Sequence, residues 1–288
     1  MLAFTKLVSA LENLPFHIFD IAMYENGQCH YHRFEACNAC NNSYSVAKVF
    51  IMTAIGMLVD EHRLSIGDRV CTLLEDELVQ DMDPAWRLVT VEHALTHRIG
   101  FDSGFLDIDS EDASEFPSDY LSIVFHHKLA YIPGEKYVYS DAAFYLLSRI
   151  ISKTAGMNAD RFLMERLFQP MKFREVAWSC CPNGYPIGAT GLYITTADML
   201  KVALMFMNEG KYEGKRYLSA QWVRLALAKE YELQAMTASG LSGKGGMYGQ
   251  TLLFSQNQQI AVAVHAHEEK EQHAVVDLLD QLLREPQR

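Results

Sequence analysis

Apolar residues at Leu2, Phe4, Leu7, Val8 and Leu11 recur at helical spacing, so the chain opens with an amphipathic surface helix. Two short runs of β-type residues follow, Phe16–Tyr24 and Gln28–Phe34, with Glu25-Asn26-Gly27 between them. Asn-Gly between such runs is the strongest short-range hairpin signal. A polar stretch, 38–43, then leads into Ser45–Leu58, which is apolar at 47, 50, 51, 54, 55 and 58 and reads as a helix. From there to about residue 225 the pattern is mostly helical. Val91–Thr96, Ala142–Lys153, Ala159–Leu167 and Ala197–Met207 are joined by turns carrying Gly, Pro and Asp. Strand patterns return at Met247–Phe254 and Gln259–His265, followed by a last amphipathic helix, Glu269–Leu283.

This order predicts an α+β fold: one antiparallel sheet built from both ends of the chain, flanked by the first and last helices, with a helical lobe inserted. The expected organisation is one domain over 1–288, with a sheet lobe at about 1–42 and 225–288 and a helical lobe at about 43–224. At 288 residues, 49% hydrophobic and 21% charged, the chain has the composition of an ordinary globular enzyme. A formal charge of −11 repels phosphate backbones and anionic lipid, which argues against nucleic-acid and membrane-surface partners. No run reaches the roughly 18 apolar residues of a membrane helix. The opening has Lys6 in its middle and lacks the order of a signal peptide, so a cytoplasmic location is expected.

Cysteines at 29, 37, 40, 71, 180 and 181 do not have the spacing of a disulfide scaffold. Cys37-Asn-Ala-Cys40, with His30 and His32 upstream, could hold zinc or act in redox chemistry, but no second CxxC accompanies it. Reduced cysteines in a loop, with no metal or cofactor, are the expectation. His265 and His267, with Glu268, Glu269 and His273 after them, could suggest a metal site but read equally as polar residues at a strand end. His126-His127 and the acidic stretch 107–115 read as solvated surface.

Three short patterns could carry chemistry. In Ser45-Val-Ala-Lys48 the two side chains lie three apart at a helix start, with Cβ atoms about 5–6 Å apart. The serine would sit at the positive end of the helix, where N–H groups favour a developing oxyanion. A neighbouring lysine can act as a base when burial or a second cation destabilises its ammonium. Pro133-Gly134 is followed by Tyr139-Ser140-Asp141 ahead of an apolar helix. Either Ser140 or Asp141 simply caps that helix, or Tyr139 is a proton shuttle whose phenolate two lysines stabilise. Lys244-Gly245-Gly246, just before a strand, offers a cation to a substrate carboxylate and backbone that a substrate can lie against.

The three patterns, in this order and with these gaps, resemble the serine β-lactamase, DD-peptidase and family VIII esterase superfamily, most nearly its class C β-lactamase-related branch. The surroundings match as well. Leu58-Val-Asp-Glu-His-Arg-Leu-Ser-Ile-Gly-Asp68, Val91-Glu-His-Ala-Leu-Thr-His-Arg-Ile-Gly100, Gly191-Leu-Tyr-Ile-Thr-Thr-Ala-Asp198 and Lys244-Gly-Gly-Met-Tyr-Gly249 are similar to stretches of that family. The resemblance covers roughly 16 to 285. It implies a β-lactamase/transpeptidase-like fold in which Ser45 is the acylating nucleophile, Lys48 its partner, Tyr139 the general base and acid, and Lys244 the third motif's cation. It further implies an oxyanion hole from the N–H groups of Ser45 and Met247, beside Gly246, and convergence of these groups in one cleft.

The sequence departs from the family at two motif positions. Asp141 stands where an asparagine usually binds the substrate amide, and an ionised carboxylate cannot donate a hydrogen bond. Gly245 replaces a threonine or serine. The stretch between 225 and 244 is also short. Reading Ser140-Asp141-Ala142 as a Ser-Asp-Asn motif would instead make Ser140 the shuttle; the Pro-Gly and the tyrosine favour Tyr139. The implied activity is an acyl-serine hydrolase of small esters or amides. A β-lactamase or D-amino-acid peptidase, and a non-catalytic binding or scaffold protein with the same fold, remain open.

Overall fold

A computed structural model describes residues 3–36 and 38–284. Its helices are α1 (Ala3–Leu11), α2 (Ala47–Asp60), α3 (Val70–Leu73), α4 (Val91–Leu95), α5 (Tyr120–His126), α6 (Asp141–Ala155), α7 (Ala159–Leu163), α8 (Thr196–Met207), α9 (Ala220–Ala228) and α10 (Ala274–Arg284). Its strands are β1 (Ile18–Glu25), β2 (Gln28–Arg33), β3 (Cys40–Asn42), β4 (Val176–Trp178), β5 (Leu192–Thr195), β6 (Lys211–Tyr212), β7 (Lys215–Arg216), β8 (Gln234–Ala235), β9 (Ser242–Gly246), β10 (Gln250–Ser255) and β11 (Ile260–Ala266). None of the described helices is long and apolar enough to cross a membrane.

The chain divides into two compact units: residues 1–46, 171–177 and 193–288 form one, and residues 47–170 with 178–192 form the other. Residues 193–224, expected with the helical segment, therefore cluster with the sheet: α8 packs on β11, β10 and β1.

The first unit is built on a mixed-origin antiparallel sheet in the order β2-β1-β11-β10-β9-β8. Asn26 and Gly27 both take left-handed backbone (φ 50° and 81°), as a two-residue hairpin turn requires, and set β1 against β2. On one face of the sheet Ile21, Met23, Leu253, Val262 and Val264 pack with Leu7, Val8 and Leu11 of α1 and with Val275, Val276 and Leu279 of α10. Each fully buried aliphatic side chain of this kind contributes about 1.5–3 kcal/mol. Strand alternation turns Leu252 and Phe254 to the opposite face, where Phe254 stacks on Phe206 of α8 at 5.9 Å.

In the second unit α6 is the centre, packing against α2, α4, α5 and α7. Its buried residues run almost continuously from Asp141 to Ser152. Trp86 is fully buried, meets Phe101 and Phe125 edge-on at 5.8 and 5.2 Å, and donates its indole N–H to the His127 carbonyl at 3.1 Å. Buried Arg149 pairs with Glu77.

Several boundaries differ from the sequence pattern for local reasons. Ser45 lies on a 3-10 turn (Tyr44–Val46), and the α-helix proper begins at Ala47. The apolar run Met247–Phe254 is not one strand. Met247–Gly249 is a 3-10 turn with Tyr248 left-handed (φ 60°), and Lys244, Gly245 and Gly246 themselves form part of β9. The last helix starts at Ala274 rather than 269, because the Glu268 carboxylate accepts the N–H groups of Lys270 and Glu271 and holds that stretch as a turn.

His265 sits inside the first unit, with Nδ1 2.6 Å from Gln250 Oε1 and Nε2 3.0 Å from the Ile194 carbonyl oxygen. These acceptors favour the imidazolium, but burial disfavours it more and pushes the pKa down to about 4. The folded state thus resists a proton that the unfolded chain takes up below its ordinary value of about 6.5, and stability is lost as pH falls from there towards 4. Between pH 7 and 5 the loss from this group is about 2 kcal/mol. Denaturant titrations at the two pH values should show it, and His265→Gln should shrink the difference; an equal difference in both proteins would assign it elsewhere.

Candidate active site

The first unit presents Ser45 against the end of β9. The turn is entered through the Asn42 side chain, which accepts the Tyr44 N–H at 3.0 Å, and is closed by Val46 N–H to the Ser43 carbonyl at 3.1 Å. It lies directly over Gly246. A Cβ added to Gly246 would stand 2.9 Å from the Ser43 carbonyl oxygen and 3.2 Å from the Ser45 nitrogen, so glycine here permits the close approach. The Ser45 N–H is thereby set beside the residue that precedes Met247, the second expected oxyanion donor. Two left-handed tyrosines flank these positions, Tyr44 (φ 45°) and Tyr248 (φ 60°). Their rings meet edge-on at 5.2 Å, and Tyr248 stacks on His267 at 4.4 Å.

Lys244 and Gly246 oppose Leu252 and Gln250 across the ladder, so they share one sheet face, while Gly245 opposes Thr251 and turns to the other. Lys244 is buried, and its ammonium is paired with the carboxylate of Glu232, itself buried. Glu232 has left-handed backbone (φ 58°), in the segment that links α9 to β8.

In the second unit Lys48 occupies the first turn of α2, three residues along the chain from Ser45. Its side chain is fully buried and its Nζ lies 2.8 Å from Asp141 Oδ1, donates to the Ala189 carbonyl at 3.0 Å, and stands 4.8 Å from the centre of the Tyr139 ring. Asp141, expected to face substrate, is thus buried as the counter-ion of Lys48, at the first position of α6. The N-cap of α6 is Ser140, whose side chain makes no cap bond but exchanges hydrogen bonds with both backbone groups of Phe105, at 3.2 and 3.3 Å. Tyr139, 37% exposed, is held from behind by His97. The His97 ring lies 4.5 Å from the tyrosine ring, and its Nδ1 accepts the Ser140 N–H at 3.2 Å.

The sequence pattern does not mark His97 or Glu232 as site residues, and it reads Asp109 as surface. Asp109 is half-buried, accepts the Thr190 hydroxyl, and feels the charges of Asp141 and Lys48; burial raises its pKa. His127 also departs from a solvated surface, stacking on Phe105 at 4.2 Å. The residues weighed for metal binding lie apart in role. His265 is in the interior as described, whereas His267 lines a cavity of about 510 Å³ with His17, Glu35 and Glu269. Cys37 lies outside the described residues, so the CxxC cannot be described; Cys40 ends up in β3 as a free thiol. His30 stacks on Phe4 and His32 packs on Phe34.

A family model described as Beta-lactamase matches residues 40–284. Penicillin-binding protein 4 of Amycolatopsis lactamdurans is 26% identical over 208 residues, 62% of this chain and 54% of the relative, so the chain spans about half of that protein's length. Two solved structures share the fold. The penicillin binding protein from Bacillus halodurans gives a TM-score of 0.71 at 16% identity, covering 96% of this chain and 99% of its own. EstCE1, a hydrolase with promiscuous acyltransferase activity, gives 0.73 at 14% identity, covering 98% and 99%.

The two glycines of the third pattern should behave differently. Gly246→Ala forces the Ser45 turn off the strand and is expected to cost about 1–3 kcal/mol. At Gly245 an added Cβ would meet only Met236 Cε at 3.7 Å and the Gln250 carbonyl at 3.9 Å, so Gly245→Ala should fall within about 0.5 kcal/mol of wild type. Urea unfolding of the two variants checks this, and equal midpoints would show that Gly246 is not the tight contact.

Proposed function

Because the chain belongs to the β-lactamase family, we propose that it is a serine hydrolase that forms an acyl-enzyme on Ser45 and acts on small esters or amides. One observation carries the reading most: the buried Lys48 ammonium, held by Asp141 and Ala189, stands against the Tyr139 ring. A cation against a phenol favours negative charge on its oxygen, which suits Tyr139 to moving a proton. Lys48, ion-paired as a cation, acts in this reading through its charge rather than as a free amine base.

The reaction follows from these roles. The Ser45 Oγ attacks the substrate carbonyl carbon and gives up its proton by way of Tyr139. The carbonyl oxygen gathers negative charge, which the N–H groups of Ser45 and Met247 stabilise. The bond to the leaving group breaks as that group takes the proton from Tyr139, leaving an ester on Ser45. Water then attacks the ester, its proton passes by the same phenol to Ser45, and the acid is released. His97, its ring packed at a tilt on Tyr139 and bonded to the Ser140 N–H, is a positioning residue for the phenol.

A fluorophosphonate probe should add one covalent label, which peptide mass spectrometry places on Ser45, and Ser45→Ala should take up none. Tyr139→Phe, which keeps the ring and removes the hydroxyl, should lower kcat on 4-nitrophenyl esters by about 10²-fold or more. Esters, nitrocefin and a D-Ala-D-Ala peptide compared side by side separate an esterase from a β-lactamase or peptidase. Absence of labelling at saturating probe, with the protein folded, would leave a binding or scaffold role.

A further inference from the structure

Both lysines that the motifs supply are already neutralised from within. Lys244 is buried on β9 and paired with buried Glu232. Lys48 is buried on α2 and paired with Asp141 at 2.8 Å. In its own unit Lys48 also shares its field with a second carboxylate, Asp109.

This changes what kind of molecule can be bound. A substrate carboxylate gains from a lysine only if the ammonium is available to it. At Lys244 it would have to displace Glu232 and break a buried ion pair, or share one ammonium with a like charge. An uncharged acyl compound asks for neither. Lys244 shares its sheet face with Gly246, over which the Ser45 turn lies, so the charge state of this lysine bears directly on what can approach the serine from the strand.

We infer that Glu232 sets the charge selectivity beside Ser45, so that the site takes acyl compounds bearing no carboxylate and discriminates against those that carry one. The inference rests on the reading of Ser45 as the nucleophile. Glu232 reaches its place through the left-handed backbone of an irregular segment, a conformation that costs a non-glycine residue energy and that its buried pairing offsets.

The test compares two substrates of one chain length: mono-4-nitrophenyl glutarate, which ends in a carboxylate, and its methyl ester, which does not. Wild type should release nitrophenol from the methyl ester with a kcat/KM at least about 30-fold higher. Glu232→Gln keeps the shape and removes the charge, and should narrow that ratio about tenfold or more through a lower KM for the anionic substrate. Glu232→Asp should restore the wild-type ratio. Should Glu232→Gln not fold, Glu232→Ser, which removes the charge with a smaller polar side chain, is expected to move the ratio in the same direction. Equal kcat/KM values in wild type, or an unchanged ratio in a folded charge-removing variant, would overturn the inference while leaving Ser45 as nucleophile. No turnover of either ester with Ser45 unlabelled by fluorophosphonate would overturn the underlying reading and this inference with it.

Discussion

A lysine taken wholly out of water must find its counter-charge inside the protein, and Lys48 finds it in Asp141. The two residues come from separate helices, α2 and α6, whose packing is the main contact of the second unit's core. Both residues lie in the first turn of their helices and are buried there. Breaking such a buried pair by removing one partner costs about 3–5 kcal/mol. Neighbouring groups of the second unit are arranged around this constraint. The Ala189 carbonyl takes another of the ammonium's hydrogens, the Tyr139 ring lies against it, and His97 fixes the backbone just before Asp141. A carboxylate at position 141 is thus coherent with a buried cation.

The same physics recurs on the strand side with different means. β9 consists largely of glycine and has no side-chain packing of its own to position Lys244. Its place comes from ladder pairing, with Gly243 against Leu253 and Lys244 against Leu252. The charge is then met by Glu232 from an irregular stretch. Lys48 is held by helix packing and Lys244 by backbone pairing, and in each case a nearby acid meets the charge.

Elements with strong periodicity were legible in the amino-acid pattern. The Asn26-Gly27 hairpin, α2, α6 and α8 announce themselves by turn chemistry and by apolar residues at helical spacing. The order of the motifs was legible too, since each is local. What the pattern concealed is what depends on pairing across the fold. Ser-Gly-Lys-Gly-Gly carries no hydropathy alternation, so β9 was invisible as a strand. Glu232 looks like one acid among many, and only a left-handed backbone turns it to Lys244. Asp109 lies in an acidic stretch that reads as solvated until Thr190, some eighty residues later, folds against it. The start of α10 was misplaced because the Glu268 side chain, rather than any breaker residue, holds the preceding turn.

The pairing of Ile18 with Ala266 and of Tyr24 with Ala261 has a consequence for synthesis. β1 can form its hairpin with β2 as soon as both are made, yet its other edge must wait for β11, which follows the second unit along the chain. Residues 47–170 can meanwhile collapse on their own local contacts, as domains generally do during translation. The sheet is completed only when β11 is made, and until then a strand bearing Ile18, Ile21 and Met23 shows an open edge. That interval is when a nascent chain of this design most needs a chaperone.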